Sequence, residues 1–263
     1  FGVKGIGIAT IISQLVSFLI ILFKVLKNER VRNITNEFLV PKFLFFKNIF
    51  FQSMPISVSI CGYALAAAII FTYVGQSGEY AVAGYGVGTR IEQVVLLPIL
   101  GINTAIISII AQNYGANNLD RIKETYFTAI KYAFIIMITA GTLVFLSASV
   151  ITSFFSNDPE VIEYGKRYLK ISAFVLPAYP VFFLSNGFFM ALKKSENAMI
   201  SNFFRNVLNP IAVFYIAKYI NASFETFFWL WVGINWFFSI SYFFIIIYYF
   251  KIKLNKSSTV VHP

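Results

Sequence analysis

Long apolar runs alternate with short polar connectors along almost the whole chain. About 20 consecutive apolar residues are enough to cross the hydrocarbon core of a bilayer as an α-helix. The runs predict seven spanning helices, at about 5–26, 49–74, 81–113, 126–154, 168–192, 197–217 and 227–250. A polar connector at 28–47 separates the first two, and a Gly-rich turn at 75–78 links the second to the third. The fold class this predicts is all-α, a polytopic transmembrane helical bundle. Prolines at 55, 98, 177, 180 and 210 fall inside the runs. They predict kinks or breaks of the kind that line cavities in secondary transporters.

Composition turns this pattern into a class. Of the 263 residues, 58% are hydrophobic and 12% charged, and mean hydropathy is +0.74. Soluble proteins run near ~45–50% and ~25%. These values exclude a soluble globular fold, a disordered chain, a collagen, a coiled coil and a disulfide-stapled module. The formal charge of +10 would point to nucleic acid in a soluble protein. Here it reads as positive-inside bias, and no nucleic-acid partner is expected. With alternating spans, fifteen basic residues, Arg205 among them, fall on the side of the 28–47 connector and the C-terminal tail. Five fall on the opposite side, and Arg90 alone is placed within a span. The expected orientation therefore has an external start and a cytoplasmic C-terminus in a multi-pass inner (plasma) membrane protein. Trp229, Trp231, Tyr248 and Tyr249 sit near the ends of the last run, where amphipathic rings favour the interface. The run from Ile6 to Val25, preceded only by Lys4, is too long for a signal-peptide core and reads as a true span. An external start without a methionine points to a piece of a longer protein.

Candidate chemistry is sparse. The single cysteine, Cys61, and the single histidine, His262 beside the chain end, leave no intrachain disulfide, no Cys-based metal site and no hydrolytic machinery. No enzyme activity and no metal or organic cofactor are expected. Gly84, Gly86 and Gly88 lack the spacing and the strand–turn–helix setting of a dinucleotide fingerprint, and predict close packing or local unwinding. The third run holds Arg90 and Glu92 in an otherwise apolar stretch. An ionisable residue near mid-helix costs roughly 2.5–3.5 kcal/mol on insertion scales, so each is expected to meet a partner elsewhere in the bundle. Eleven residues on from Glu92, Asn103 returns to within about 20° of the same helix face. Gln93, Thr104, Ser108, Gln112 and Asn113 extend the polarity of this helix, which predicts a cavity-facing surface. Asn186, Asn202, Asn206, Asn209 and Asn235 read individually as interhelical hydrogen-bonding groups.

Three stretches then carry a resemblance. Residues 86–93 (GVGTRIEQ), 97–101 (LPILG) and 111–116 (AQNYGA), with Arg121 beyond, resemble the eighth helix and following cytoplasmic loop of the multidrug and toxic compound extrusion (MATE) family. Residues 187–195 (GFFMALKKS), with Arg205 after them, resemble its tenth helix and the loop beyond, and 5–14 (GIGIATIISQ) its sixth. The resemblance implies a twelve-helix transporter of two six-helix lobes, of which this chain holds residues 1–26 as the last amino-lobe helix. It also implies an interlobe loop at 27–48, a six-helix carboxy-terminal lobe at 49–250 and a cytoplasmic tail at 251–263. The implied partners are the lipid bilayer, a missing amino-terminal lobe and small organic substrates. The implied activity is export of organic, often cationic, compounds by alternating access, in exchange for Na+ or H+. One branch of the family carries an ion-coupling glutamate eight residues after a proline that matches Pro55, and Tyr63 stands there instead. The substrate- or ion-cavity candidates are therefore Glu92, Arg90, Asn103, Gln93, Tyr63 and Asn186. Two alternatives stand beside this reading. One is a related lipid-linked saccharide flippase, disfavoured because Arg90 is the only cation placed within a span. The other is a fragment that does not transport on its own.

Overall fold

The structure, a computed structural model, describes residues 2–27 and 43–251. Much of the expected 27–48 loop and nearly all of the 251–263 tail fall outside them. The described residues are helical, joined by short turns. Two units divide the chain, Phe1–Phe51 and Gln52–Pro263. In the first, α1 (Gly2–Leu26) ends on Lys24 in its last turn, where a cation complements the helix carbonyls. A second helix, α2 (Phe43–Val74), begins earlier than its apolar run and continues through Pro55 into the second unit.

The second unit continues with α3 (Glu79–Gly115) and α4 (Leu119–Ser153). At 37 residues, α3 is roughly 55 Å long, more than the ~30 Å hydrocarbon core requires. Five stretches among the described residues are long and apolar enough to cross a membrane: Gly7–Leu26, Glu79–Gly115, Leu119–Ser153, Pro159–Ala191 and Phe224–Tyr249.

Two of the expected spans are not single helices. The fifth comprises α5 (Pro159–Ser172), a 3-10 turn at Leu176–Ala178 and α6 (Tyr179–Ala191). The sixth comprises α7 (Ser195–Phe203), a π-helical turn at Phe204–Leu208 and α8 (Asn209–Tyr219). Proline is the cause in both places. Pro177 lies in the first break and Pro180 just after it, and Pro210 has no N–H to donate to the carbonyl four residues back. Backbone groups freed in a membrane must find partners. The last helix, α9 (Phe224–Tyr249), supplies two of them: Trp236 Nε1–H donates to the Phe174 carbonyl at 2.8 Å, and Ser239 Oγ–H to the Ala178 carbonyl at 3.0 Å.

Helix starts extend beyond the apolar runs because they are capped and charged rather than apolar. Asp158 accepts from the Glu160 and Val161 amides ahead of α5 with Pro159 at its first position, and Asn118 accepts from the Arg121 amide ahead of α4. The core forms two apolar layers along the bundle. One gathers Tyr85, Met137, Val144, Tyr168, Leu176 and Phe227, and the other Ile106, Ile110, Tyr126, Phe188, Tyr242 and Ile246.

Candidate functional site

Gly84 and Gly88 bring α3 into contact with α5, whereas a Cβ on Gly86 would meet open space, and none of the three unwinds the helix. A Cβ on Gly84 would lie 2.7 Å from the Gly165 backbone nitrogen of α5, and a Cβ on Gly88 would strike the Tyr168 ring. Gly88 and Glu92 are four residues apart, on one face. The ring of Tyr168 therefore rests on Gly88 while its hydroxyl donates to Glu92 Oε2. The other carboxylate oxygen, Oε1, accepts from Tyr179 Oη–H at 2.6 Å. Tyr179 opens α6, immediately after the break at Pro177. One phenol from each side of the broken helix thus converges on a single half-buried carboxylate.

Aromatic rings fix those phenols. Tyr168 meets Tyr85 edge-on with centroids 4.9 Å apart, and Phe228 of α9 at 4.8 Å. Tyr85 stacks on the same Phe228 at 5.5 Å. These rings wall a cavity of about 290 Å³ that Tyr63, Glu92, Gln93, Arg205, Asn206 and Trp231 also line.

Of the residues chosen from sequence, the structure brings Glu92, Gln93 and Tyr63 to this one cavity. Arg90 points away on the far side of α3 and is exposed, with no ion pair among the described residues. Two residues correspond to a rotation of about 200°, so Arg90 faces away from Glu92, and among the described residues the ion-pair partner expected for it elsewhere in the bundle is not found. Asn103 does share the Glu92 face, but it lies about 16 Å further along the helix. There it packs against Gly187, with Oδ1 buried and unpartnered. Asn186 belongs to a separate, closed network. Its Nδ2 donates to Asn202 Oδ1 at 3.3 Å, and its Oδ1 accepts from Ser201 Oγ at 3.0 Å and Tyr242 Oη at 3.1 Å. The polarity expected to face a cavity beyond Pro98 is largely satisfied within α3. Thr104 bonds the Leu100 carbonyl, Asn113 the Ile109 carbonyl, and Gln112 reaches Ser108.

Sequence reasoning missed Arg205. It is placed above among the cytoplasmic cations, yet it is only 8% exposed. It occupies the π turn, with its guanidinium 4.2 Å from the Phe182 ring centroid and 4.8 Å from that of Tyr179. Its Nε–H donates to Asn235 Oδ1 at 3.2 Å, and Asn235 is held in turn by donating to the Trp231 carbonyl at 2.8 Å. Arg90 is therefore not the only cation within the spans expected from the sequence, and the one turned inward is Arg205. The spacing Arg205–Asn206 before Pro210 marks where a proline-induced turn carries polar side chains inward. Among the described residues no cluster of His, Cys, Asp or Glu has the makings of a metal site.

Comparison with known proteins agrees with this architecture. A family profile described as MatE matches residues 55–215. The "Probable multidrug resistance protein YpnP" of Bacillus subtilis is 25% identical over 235 residues, covering 88% of this chain and 49% of that protein. The chain thus spans about half the length of such relatives. Two solved structures superpose closely. An "outward-facing conformation of a multidrug resistance MATE family transporter" gives a TM-score of 0.81 at 23% identity, over 97% of this chain and 57% of that one. An "inward-facing conformation" of such a transporter gives 0.76 at 22% identity, over 100% and 60%. The profile covers more than half of the sequence, and the chain has the overall fold of those structures: this chain belongs to the MatE family of membrane transporters.

Proposed function

We propose that the chain is the carboxy-terminal part of a secondary active transporter that exports organic, often cationic, compounds in exchange for Na+ or H+. The observation that carries this reading is Glu92. It is a half-buried carboxylate gripped by two phenols at a helix break and open to an aromatic-walled cavity of about 290 Å³. Such a site attracts a cation, and flat rings suit the hydrophobic body of an amphipathic solute. Tyr63 lines this cavity at the position where one branch of the family has a glutamate, which leaves Glu92 as the acid of this lobe for coupling.

Alternating access follows on this reading from an amino-terminal lobe closing the cavity from the other side. Relatives named for outward-facing and inward-facing states support it. In this layout 1–26 is the last helix of that lobe, 27–48 the interlobe loop and 49–250 the carboxy-terminal lobe, in the plasma membrane with a cytoplasmic C-terminus. The isolated chain, lacking the facing wall, does not transport. The saccharide-flippase alternative is not favoured, since the family matched is MatE and a curated relative is named for multidrug resistance.

The test is ethidium efflux by the full-length protein in proteoliposomes, with Na+ and proton gradients imposed separately. One gradient drives efflux in the wild type, and Glu92→Gln abolishes the dependence on it. Efflux and ion dependence that survive Glu92→Gln intact would rule Glu92 out.

A further inference from the structure

The cavity carries a second charge, Arg205, most of whose N–H bonds meet no acceptor among the described residues. A guanidinium has five N–H bonds, and among the described residues the only one of Arg205 with a protein acceptor is Nε–H, on Asn235. Among the described residues no carboxylate lies within ion-pair distance of it, although the side chain is buried in the bundle. Aromatic faces at 4.2 Å (Phe182) and 4.8 Å (Tyr179) hold the plane of the group but offer its N–H bonds no acceptor. Asn206, the next residue, lines the same cavity and has its Nδ2 buried without an acceptor. One corner of the wall is therefore rich in donors and poor in acceptors. Tyr179 stands between this corner and Glu92, with its hydroxyl on the carboxylate and its ring against the guanidinium.

A buried arginine that lacks a carboxylate partner is strongly disfavoured until an anion meets it, and its planar fork matches a carboxylate or phosphate through two parallel bonds. We propose that Arg205, with Asn206 beside it, is the seat for an organic anion carried on an aromatic frame. The cavity then accepts carboxylate- or phosphate-bearing solutes, and zwitterions whose cationic end lies at Glu92. This inference rests on reading the cavity as the substrate site.

The test uses two dyes, a rhodamine free acid and its methyl ester, which differ by one carboxylate. Binding is measured by fluorescence anisotropy on the full-length protein in phosphatidylcholine vesicles, against protein-free controls. The wild type binds both. Arg205→Gln weakens the free acid at least ~tenfold and the ester by less than ~twofold, and Arg205→Lys, a charge without the fork, recovers part of the loss. Equal losses for both dyes, or none for the acid, would overturn the proposal, as would a wild type that does not bind the acid. Adding phosphatidylglycerol separates the two sources of anion. Unchanged binding of the acid supports a solute seat, whereas selective displacement of the acid assigns Arg205 to a lipid headgroup and overturns it. Gradient-driven uptake of the same dyes tests the parent reading separately. Selective binding without uptake would leave the anion seat standing and remove the transport reading.

Discussion

Two polar clusters lie on one face of α6, seven residues apart, and they differ in whether their hydrogen bonds are closed. Around Asn186, both ends of the amide are bonded to side chains, Nδ2–H donating to Asn202 and Oδ1 accepting from Ser201 and Tyr242. Around Tyr179, a carboxylate and a guanidinium face the same cavity without pairing, and an asparagine amide is left without an acceptor. A closed network fixes helices against one another. An open one holds charge ready for something that is not part of the lobe. On the proposed reading, the difference separates the residues that build this bundle from those that act in it.

Five substitutions probe that difference, and the largest effect belongs to the open cluster. Glu92→Gln keeps the size of the side chain and removes its charge, and lowers gradient-driven export by about a hundredfold, the equivalent of roughly 2.7 kcal/mol. Flux assays on the full-length protein measure it. Asn186→Ala acts on the closed cluster in the opposite sense. It leaves buried partners unsatisfied and lowers stability by about 2 kcal/mol. Thermal unfolding in detergent shows the loss, while export per folded molecule stays within about twofold.

Tyr168→Phe is milder. It removes one of two phenols on Glu92 at a typical ~1 kcal/mol for a hydrogen bond, and so lowers export about fivefold. If Gly88→Ala, which pushes the same ring off α3, produces the same export defect, then it is the placement of the phenol that matters. Glu225→Gln is the smallest. Its partner Arg167, at 2.8 Å, is 46% exposed and already bonded to Glu163. Stability changes by less than about 0.5 kcal/mol, and export does not change.

Much of the bundle was legible in the sequence because membrane spans are written in long apolar runs. Glu92 was legible because a carboxylate in such a run is conspicuous. Its partners were not. Tyr168 and Tyr179 reach it from 76 and 87 residues away, and nothing local distinguishes them from the other aromatic residues. The prolines at 177 and 180 marked the break without saying which side chain it would aim. Arg205 was misplaced for a related reason. It stands near the start of an apolar run and soon after Lys193 and Lys194, where an arginine ordinarily reaches back to the interface. The π turn ahead of Pro210 rotates it inward instead. Asn103 shows the limit of helical-wheel reasoning: it lies on the same face as Glu92, but at a depth where α6 presents Gly187 and the cavity does not reach.

The most direct test of the central claim, that the open cluster works and the closed one only holds, is a single comparison. Gradient-driven ethidium flux is measured for Glu92→Gln and Asn186→Ala side by side in the full-length protein, normalised to folded transporter. The account predicts that Glu92→Gln loses flux while Asn186→Ala keeps it. Flux lost in Asn186→Ala and retained in Glu92→Gln would contradict it.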